Sequence, residues 1–258
     1  IMLMLKGCNV WAAMAGALVA GMLAGFVTGF FHTFMGIPAI LSGILTQLGL
    51  WSVNLKIMGK ANQAINVDKY KLLVSLRFIK NVPFYKNTIL LVAVIIVVLI
   101  AVLYWFFGTE MGCSLRATGC NDKMARAQGI NTDFSRVLGL MVSNGLVGLS
   151  GALLAQYQGF ADISSGIGIV AVGLASVIIG ERIFGRRGVT WGLSVTVAGS
   201  VIYRLMIALA LKTNLFPAYC LKIVSAVIVA AALSVPAVKQ MLARRKIKRE
   251  GLRHAVHS

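Results

Sequence analysis

The sequence predicts an all-α protein, a polytopic bundle of transmembrane helices that forms one membrane domain over residues 1–258. Hydrophobic residues make up 59% of the chain and charged residues only 12%, whereas about a quarter of an average soluble domain is charged. Several apolar runs approach the length of about 20 residues that a helix needs to cross a bilayer. The runs do not alternate with polar residues, which argues against the short strands of a membrane barrel.

Seven segments are long and apolar enough to cross or enter the membrane. The third includes ILLVAVIIVVLIAVLYWFF at 89–107, which is rich in valine and isoleucine and ends in an aromatic cluster, so we expect it to face lipid. The first contains two G-x-x-x-G motifs in register, which predict close packing against another helix of the same chain. The seven segments are 11–31, 37–55, 88–107, 134–156, 168–184, 189–211 and 218–238, and the glycines of the first are Gly16, Gly21, Gly25 and Gly29.

The two ends of the chain set the expected topology. The start, IMLMLKG, has neither the basic region nor the cleavage site of a signal peptide, so we expect further spans upstream. The tail at 239–258 contains ARRKIKRE and is expected to be a basic cytoplasmic tail. Counting spans back from it places 108–133 inside and 56–87 outside. The basic charge of 56–87 departs from the positive-inside rule, and an acidic partner outside would explain the departure.

The net charge of +18 does not indicate a nucleic-acid partner, because the basic residues flank apolar runs or lie in the tail. The cysteines have no metal or disulfide spacing, and the histidines do not cluster with carboxylates, so no metal site is predicted. A phosphate-binding G-x-x-x-x-G-K-[ST] loop and a catalytic cluster are both missing from the sequence. The chain is therefore expected to be non-catalytic. The cysteines are Cys8, Cys113, Cys120 and Cys220.

A polar stretch, GCSLRATGCNDKMARAQGINTDFSR at 112–136, interrupts the apolar runs. Asn121 is a good N-cap and Gly129 a good left-handed C-terminal residue, so a short helix is predicted over 122–128. Asp122 complements the positive end of that helix. The stretch therefore predicts a short, sharply delimited helix on the cytoplasmic side that lies across the bundle, and a simple interfacial linker is the alternative. Helical spacing places Met124, Ala125 and Gln128 on one face and points Lys123 and Arg126 elsewhere.

The same stretch carries a resemblance to a known family. Its pattern G-x-x-L-R-A-T-G-x-N-x-x-x-A-x-x-x-G-I, from Gly112 to Ile130, resembles the coupling segment of ABC importer permeases of the branched-chain amino acid and ribose class. VGLASVIIGERIFGRRGVTWG at 172–192 is similar to the family's segment after the outer loop, and LSGILTQLGLWSVNLKIMGKAN at 41–62 resembles a subgroup predicted to import tryptophan or tyrosine. The resemblance covers residues 12–240 and implies a type II importer permease fold. Family members carry one or two more N-terminal spans, in agreement with the abrupt start.

The resemblance implies a membrane subunit of an ATP-driven importer in the bacterial plasma (inner) membrane. Its implied partners are a second copy of the chain, two ATPase subunits that hold ATP and magnesium, an external substrate-binding protein and the lipid bilayer. No cofactor is expected on this chain itself. In the family the segment equivalent to 108–133 seats in a groove of the ATPase. The implied ATPase-coupling residues are Arg116, Gly119, Asn121, Met124, Ala125, Arg126, Gln128 and Gly129.

Two further sets of residues are candidates for binding. In the family the segment 56–87 faces the binding protein, although attraction to outer anionic lipid would explain its charge equally well. Polar residues inside the spans either line the solute path or bond to neighbouring helices; Arg204, in mid-span, is a candidate for a substrate carboxylate. The docking candidates are Lys56, Lys60, Lys69, Lys71 and Arg77, with Lys80 and Lys86, and the path candidates are Ser42, Thr46, Gln47, Ser143, Asn144, Ser176 and Arg204.

The competing class is a secondary transporter or channel without an ATPase. It would need an ion-coupling carboxylate deep in a span, whereas all 7 acidic residues lie in connections, at span ends or in the tail. An amino acid, with an aromatic one favoured, is the expected solute of the importer. Branched-chain amino acids, nucleosides and simple sugars stay open, as does a heterodimer in place of a homodimer.

Overall fold

The computed structural model describes residues 1–64, 88–166, 169–185, 188–212 and 230, and these residues are almost entirely helical. The chain divides into two compact units, Ile1–Ser165 and Gly166–Ser258. The elements of the first unit are α1 (Met2–Leu5), α2 (Val10–Thr33), α3 (Ala39–Met58), β1 (Asn62–Ala64), α4 (Thr88–Gly108), α5 (Glu110–Cys120), α6 (Asp122–Ala127), α7 (Thr132–Gln158) and β2 (Phe160–Asp162), followed by a 3₁₀ turn at Ile163–Gly166. Those of the second are α8 (Ile169–Phe184) and α9 (Val189–Lys212).

The most extensive helix contact joins α2 and α7, which run antiparallel. Gly21 lies against the Asn144 carbonyl and Gly25 against the Leu140 carbonyl, each too close for a Cβ atom to fit. One turn further on, a Cβ at Gly29 would lie 3.0 Å from the Cα of Val137. The absence of side chains therefore lets the two backbones touch over several turns. This confirms the close packing predicted from the glycine motifs.

Helix α3 returns along α2 after a turn that contains Gly36, with φ of 68°. The two helices are joined by a hydrogen bond in which the Thr28 hydroxyl donates to the Thr46 hydroxyl over 3.0 Å. The Thr46 hydroxyl donates to the Ser42 carbonyl of its own helix. The Ala24 carbonyl, 3.0 Å from the Thr28 hydroxyl oxygen, is a second acceptor within reach of the one Thr28 proton. Both hydroxyls are thus satisfied without water, as an apolar setting requires.

The two ends of α7 carry different structures. Its N-terminus follows α6, and its C-terminus leads through Gly159 into β2. Strand β2 pairs antiparallel with β1, with Asn62 opposite Asp162 and Ala64 opposite Phe160. A helix of 27 residues is about 40 Å long, so this β1–β2 ribbon lies at the opposite end of the unit from α6. The counted topology likewise puts both ribbon strands on one side and 108–133 on the other.

In the second unit α8 packs on α9 through another close backbone approach. Gly199 lies against the Ser176 carbonyl and Gly180 against the Val195 carbonyl. Tyr203, which is 1% exposed, and Ala175 form the centre of the contact.

Within the described residues, five helices are long and apolar enough to cross a membrane. They match five of the seven predicted segments to within a few residues. The predicted segment 168–184 is the 16-residue helix α8. The predicted segment 218–238 and the tail 239–258 lie outside the described residues, apart from Ala230. The five helices are Val10–Thr33, Ala39–Met58, Leu90–Gly108, Thr132–Gln158 and Trp191–Leu209.

Candidate functional site

Helix α6 is set off from its neighbours by two sharp changes of backbone direction. Asn121 has extended φ and ψ of −156° and 101°, which end α5, and its side-chain oxygen accepts from the Met124 amide at 3.1 Å. Gly129 has a left-handed φ of 81°, and the Asn131 side chain then caps α7 by accepting from the Phe134 amide. The predicted cap and stop are confirmed. The helix itself ends at Ala127, one residue earlier than predicted.

The predicted grouping of Met124, Ala125 and Gln128 on one face is wrong in part. Ala125 is 2% exposed and is the buried residue of α6, whereas Met124 is 61% exposed and Gln128 is also exposed. Successive residues of a helix are rotated by about 100° around its axis. This rotation places Ala125 on the packed face of α6 and Met124 on the exposed face. Met124 and Gln128, one turn apart, therefore share an outward surface.

Four charged side chains fix the angle between α6 and α7. The Arg126 guanidinium contacts the Asp133 carboxylate at 2.8 Å and donates to the Thr132 hydroxyl at 2.7 Å. Arg136 reaches back across the turn to the Asp122 carboxylate at 2.8 Å and to Asp133 at 3.4 Å. We call this set the Arg–Asp corner. Half-exposed pairs contribute about 0–1 kcal/mol each, so the network orients α6 more than it stabilises the fold.

Sequence reasoning missed the Arg–Asp corner. It assigned Asp122 to the helix dipole and pointed Arg126 away from the face of Met124, and it paired neither of them with a residue of α7. The i, i+4 spacing of Asp122 and Arg126 and the i, i+3 spacing of Asp133 and Arg136 are visible in the sequence. The pairing across the turn depends on the angle set by Gly129 and could not be inferred from those spacings.

The remaining predicted coupling residues lie on α5. Arg116 is exposed and its guanidinium donates to the Cys113 sulfur at 3.2 Å. Gly119 faces open space. The start of α5 is held more tightly, because Gly112 lies directly against the carbonyl of Phe106 at the end of α4. Of the eight residues predicted for coupling, all but Ala125 are exposed at this end of the unit.

The two coupling glycines are expected to respond in opposite ways to alanine. Gly129→Ala forces a Cβ into the left-handed region and should destabilise the turn after α6 by about 1–2 kcal/mol. Gly119→Ala, in helix α5 with open space around it, should be neutral or stabilising by up to about 1 kcal/mol. Amide hydrogen exchange over 122–130 measures the difference. Equal exchange in the two variants would contradict a required left-handed turn.

The path candidates in the first unit fall into two groups. Ser42 and Thr46 are buried and hydrogen-bonded. Ser42 donates to the Ala39 carbonyl of its own helix at 2.9 Å, and Thr46 also bonds to Thr28 of α2. Asn144 donates to the Leu140 carbonyl of its own helix at 2.9 Å. Gln47 and Ser143 are exposed, and neither has a hydrogen-bond partner among the described residues.

The other path and docking candidates are more widely placed. In the second unit Ser176 is buried and donates to the Val172 carbonyl at 2.8 Å, while Arg204 is exposed on α9 with no ion pair among the described residues. At the ribbon end of the first unit, Lys56 and Lys60 are exposed. The docking candidates Lys69, Lys71 and Arg77, with Lys80 and Lys86, lie outside the described residues.

Comparison with known proteins places the chain among transport permeases. Residues 1–235 match the family described as the permease component of the branched-chain amino acid transport system. A tyrosine transport system permease protein of Clostridioides difficile (strain R20291) is 33% identical over 229 residues, which are 89% of this chain and 74% of that protein. No solved structure shows a significant match.

Two further relatives are matched over shorter stretches. An uncharacterized protein of Rickettsia prowazekii (strain Madrid E) is 34% identical over 68% of this chain and 60% of its own length. The autoinducer 2 import system permease protein LsrC of Yersinia pestis (strain Pestoides F) is 27% identical over 67% of this chain and 48% of its own length. The chain thus spans between about half and three quarters of these relatives.

The family match and the five apolar helices agree with each other. The protein is a multi-pass protein of the bacterial inner membrane and the permease component of an ABC-type transport system. By its match over residues 1–235, the chain belongs to the family of branched-chain amino acid transport system permease components.

Proposed function

We propose that this chain is the membrane-spanning subunit of an ATP-driven importer that takes up an amino acid, with an aromatic one favoured. The observation that carries the proposal is the geometry of α6. A short helix, capped at its start and stopped by a left-handed glycine, presents exposed Met124 outward at one end of the bundle. An interfacial linker does not need a helix with such sharply fixed ends, whereas a helix that seats in a partner's groove does.

The proposed mechanism follows from how α6 is attached. Buried Ala125 and the Arg–Asp corner join α6 to the first turn of α7. Helix α7 in turn shares backbone contacts with α2 along its length. Closure of the ATPases against α6 would therefore displace α7 and α2 together, and two copies of the bundle would alternate between inward and outward openings of a path between them.

We assign ATP binding and solute delivery to separate partner proteins. ATP and magnesium would bind to two separate ATPase subunits, because this sequence contains no phosphate-binding loop. A substrate-binding protein would deliver the solute at the ribbon end, where Lys56 and Lys60 are exposed to meet acidic side chains.

Two findings support an amino acid as the solute. The family is described as the permease component of the branched-chain amino acid transport system, and one relative is named as a tyrosine transport system permease. Another relative is named as an autoinducer 2 import permease, so family membership alone does not determine the solute. Arg204, a cation on a membrane helix, would then pair with the solute's carboxylate.

The proposal is tested by purifying the complex from its native membrane through a tag on this chain. We expect an ATPase to co-purify, and its hydrolysis to be lost or uncoupled from uptake when Asn121 or Gly129 is replaced by a bulky residue. Gly151→Ala, in helix α7 and outside the predicted coupling set, serves as the control that leaves both activities in place, because open space surrounds its Cβ position. Uptake that persists without ATP, with no ATPase in the purified complex, would overturn the proposal.

A further inference from the structure

Helix α3 carries a row of exposed side chains that the packing of the bundle does not use. Gln47, Trp51 and Asn54 are four and seven residues apart, so they lie on one face of the helix. All three are exposed, and Trp51 is 47% exposed. Neither carboxamide has a hydrogen-bond partner among the described residues. We call these three residues the carboxamide row.

The carboxamide row is distinct from the face that holds α3 in place. Ser42 and Thr46 are buried and turned towards α2. At about 100° per residue, Thr46 is about a quarter turn from Gln47 and Ser42 is further round. The row therefore stands beside the α2 contact and is not covered by it.

Lipid is an unsuitable neighbour for this row. A carboxamide that faces hydrocarbon loses the hydrogen bonds it makes in water, so polar side chains in spans face a partner or a wet cavity. Helix α4 of the same chain shows the composition that a lipid-facing helix has. None of the residues in its apolar window is fully buried, the mean hydropathy is 3.2, and the 15 residues from Ile89 to Leu103 carry no polar side chain.

We infer that Gln47, Trp51 and Asn54 line the outer half of the aqueous path and recognise the solute there. The inference rests on the proposed function and extends it to named residues. The two carboxamides offer both donors and acceptors to the ammonium and carboxylate groups of an amino acid. The indole of Trp51, between them along the row, offers a flat surface to an aromatic side chain.

The carboxamide row runs along α3 in a direction that suits entry of the solute from the ribbon end. Gln47 lies near the middle of α3, and Asn54 is about 10 Å further along the axis, at 1.5 Å per residue, towards the end of the helix at Met58. That end leads into the β1–β2 ribbon, with exposed Lys56 and Lys60 close by. A solute released there by a binding protein would meet Asn54 first and Gln47 last.

Water access to the row is measured by thiol labelling. In a background with all four native cysteines replaced by serine, Gln47→Cys and Asn54→Cys are treated with a membrane-impermeant thiol reagent. Leu45→Cys is the matched control for Gln47→Cys, because Leu45 is exposed about 3 Å from it along the axis, at 1.5 Å per residue, but on the opposite side of α3. We expect labelling of the row to be about tenfold faster or more, since the reactive thiolate forms in water and not in lipid.

The labelling result separates the inference from the proposed function, because it requires neither an ATPase nor uptake. Row cysteines that react no faster than Leu45→Cys, in variants present at normal amounts, overturn the inference even if ATP-driven uptake is established. Fast labelling that a high concentration of tyrosine slows supports solute recognition by the row, whatever drives uptake.

Recognition by the indole has its own readout. Trp51→Ala is expected to reduce tyrosine uptake about tenfold relative to isoleucine uptake, because stacking on an aromatic ring is lost while the carboxamides remain. Trp51→Phe should restore the ratio. An equal reduction for both amino acids in Trp51→Ala would overturn the specificity role of Trp51.

Discussion

Gly25→Ala is expected to destabilise the folded protein by about 1–3 kcal/mol, although alanine is the better helix former by about 1 kcal/mol. The new methyl group would meet the carbonyl of Leu140 and the Cα of Met141 on α7, closer than non-bonded atoms can lie. The neighbours are backbone atoms, so a side-chain rotation cannot make room. Helices α2 and α7 would have to move apart, and the contact they share is the most extensive in the unit.

The midpoint of thermal unfolding in detergent and the amount of protein in the membrane measure this effect. Gly151→Ala is the matched control, because Gly151 is also helical but has open space where its Cβ would stand. We expect the control to unfold at or slightly above the temperature of the unmodified protein. If Gly25→Ala were as stable as Gly151→Ala, the backbone contact between α2 and α7 would be wrong.

Met124→Glu is expected to abolish uptake while leaving the chain folded. The Met124 side chain is 61% exposed, so within the isolated chain a carboxylate there stays in water and costs little. In the proposed complex α6 seats in a groove of the ATPase, where the same carboxylate would have to be desolvated. A loss of about 2 kcal/mol or more at such a position weakens binding more than tenfold.

Met124→Leu is the control for this substitution, because it keeps an apolar side chain of similar size. Co-purification of the ATPase and solute uptake are measured in both variants, with the thermal midpoint as the check on folding. We expect Met124→Leu to retain both activities and Met124→Glu to lose both at an unchanged midpoint. An intact complex in Met124→Glu would mean that α6 does not carry the contact.

The features that the sequence predicted are those set by local chemistry. Five spans could be read from the length of apolar runs, because a bilayer demands that length whatever the packing. The cap at Asn121 and the stop at Gly129 depend on single residues whose preferences are strong. The contact of α2 could be predicted because two successive G-x-x-x-G motifs leave a helix face without side chains, although the identity of α7 as its partner could not.

The features that could not be predicted join residues far apart in the chain. Periodicity gives the relative angle of Met124 and Ala125 around a helix but not which of them faces the bundle. Ser42 and Gln47 were both candidates for the path, and only the position of α2 shows that the hydroxyl is buried and the carboxamide exposed. The Arg–Asp corner likewise needs the angle between two helices, which Gly129 permits but does not specify.

The β1–β2 ribbon also constrains the order in which the protein can be completed. Ala64 pairs with Phe160, and the whole of α4 to α7 lies between them along the chain. During synthesis β1 therefore stays unpaired until α7 has left the ribosome and crossed the membrane, because β2 follows α7 in the chain. Closing so long a loop is a late and entropically costly step, so the finished ribbon is a signature that every intervening helix of the first unit has been made and inserted.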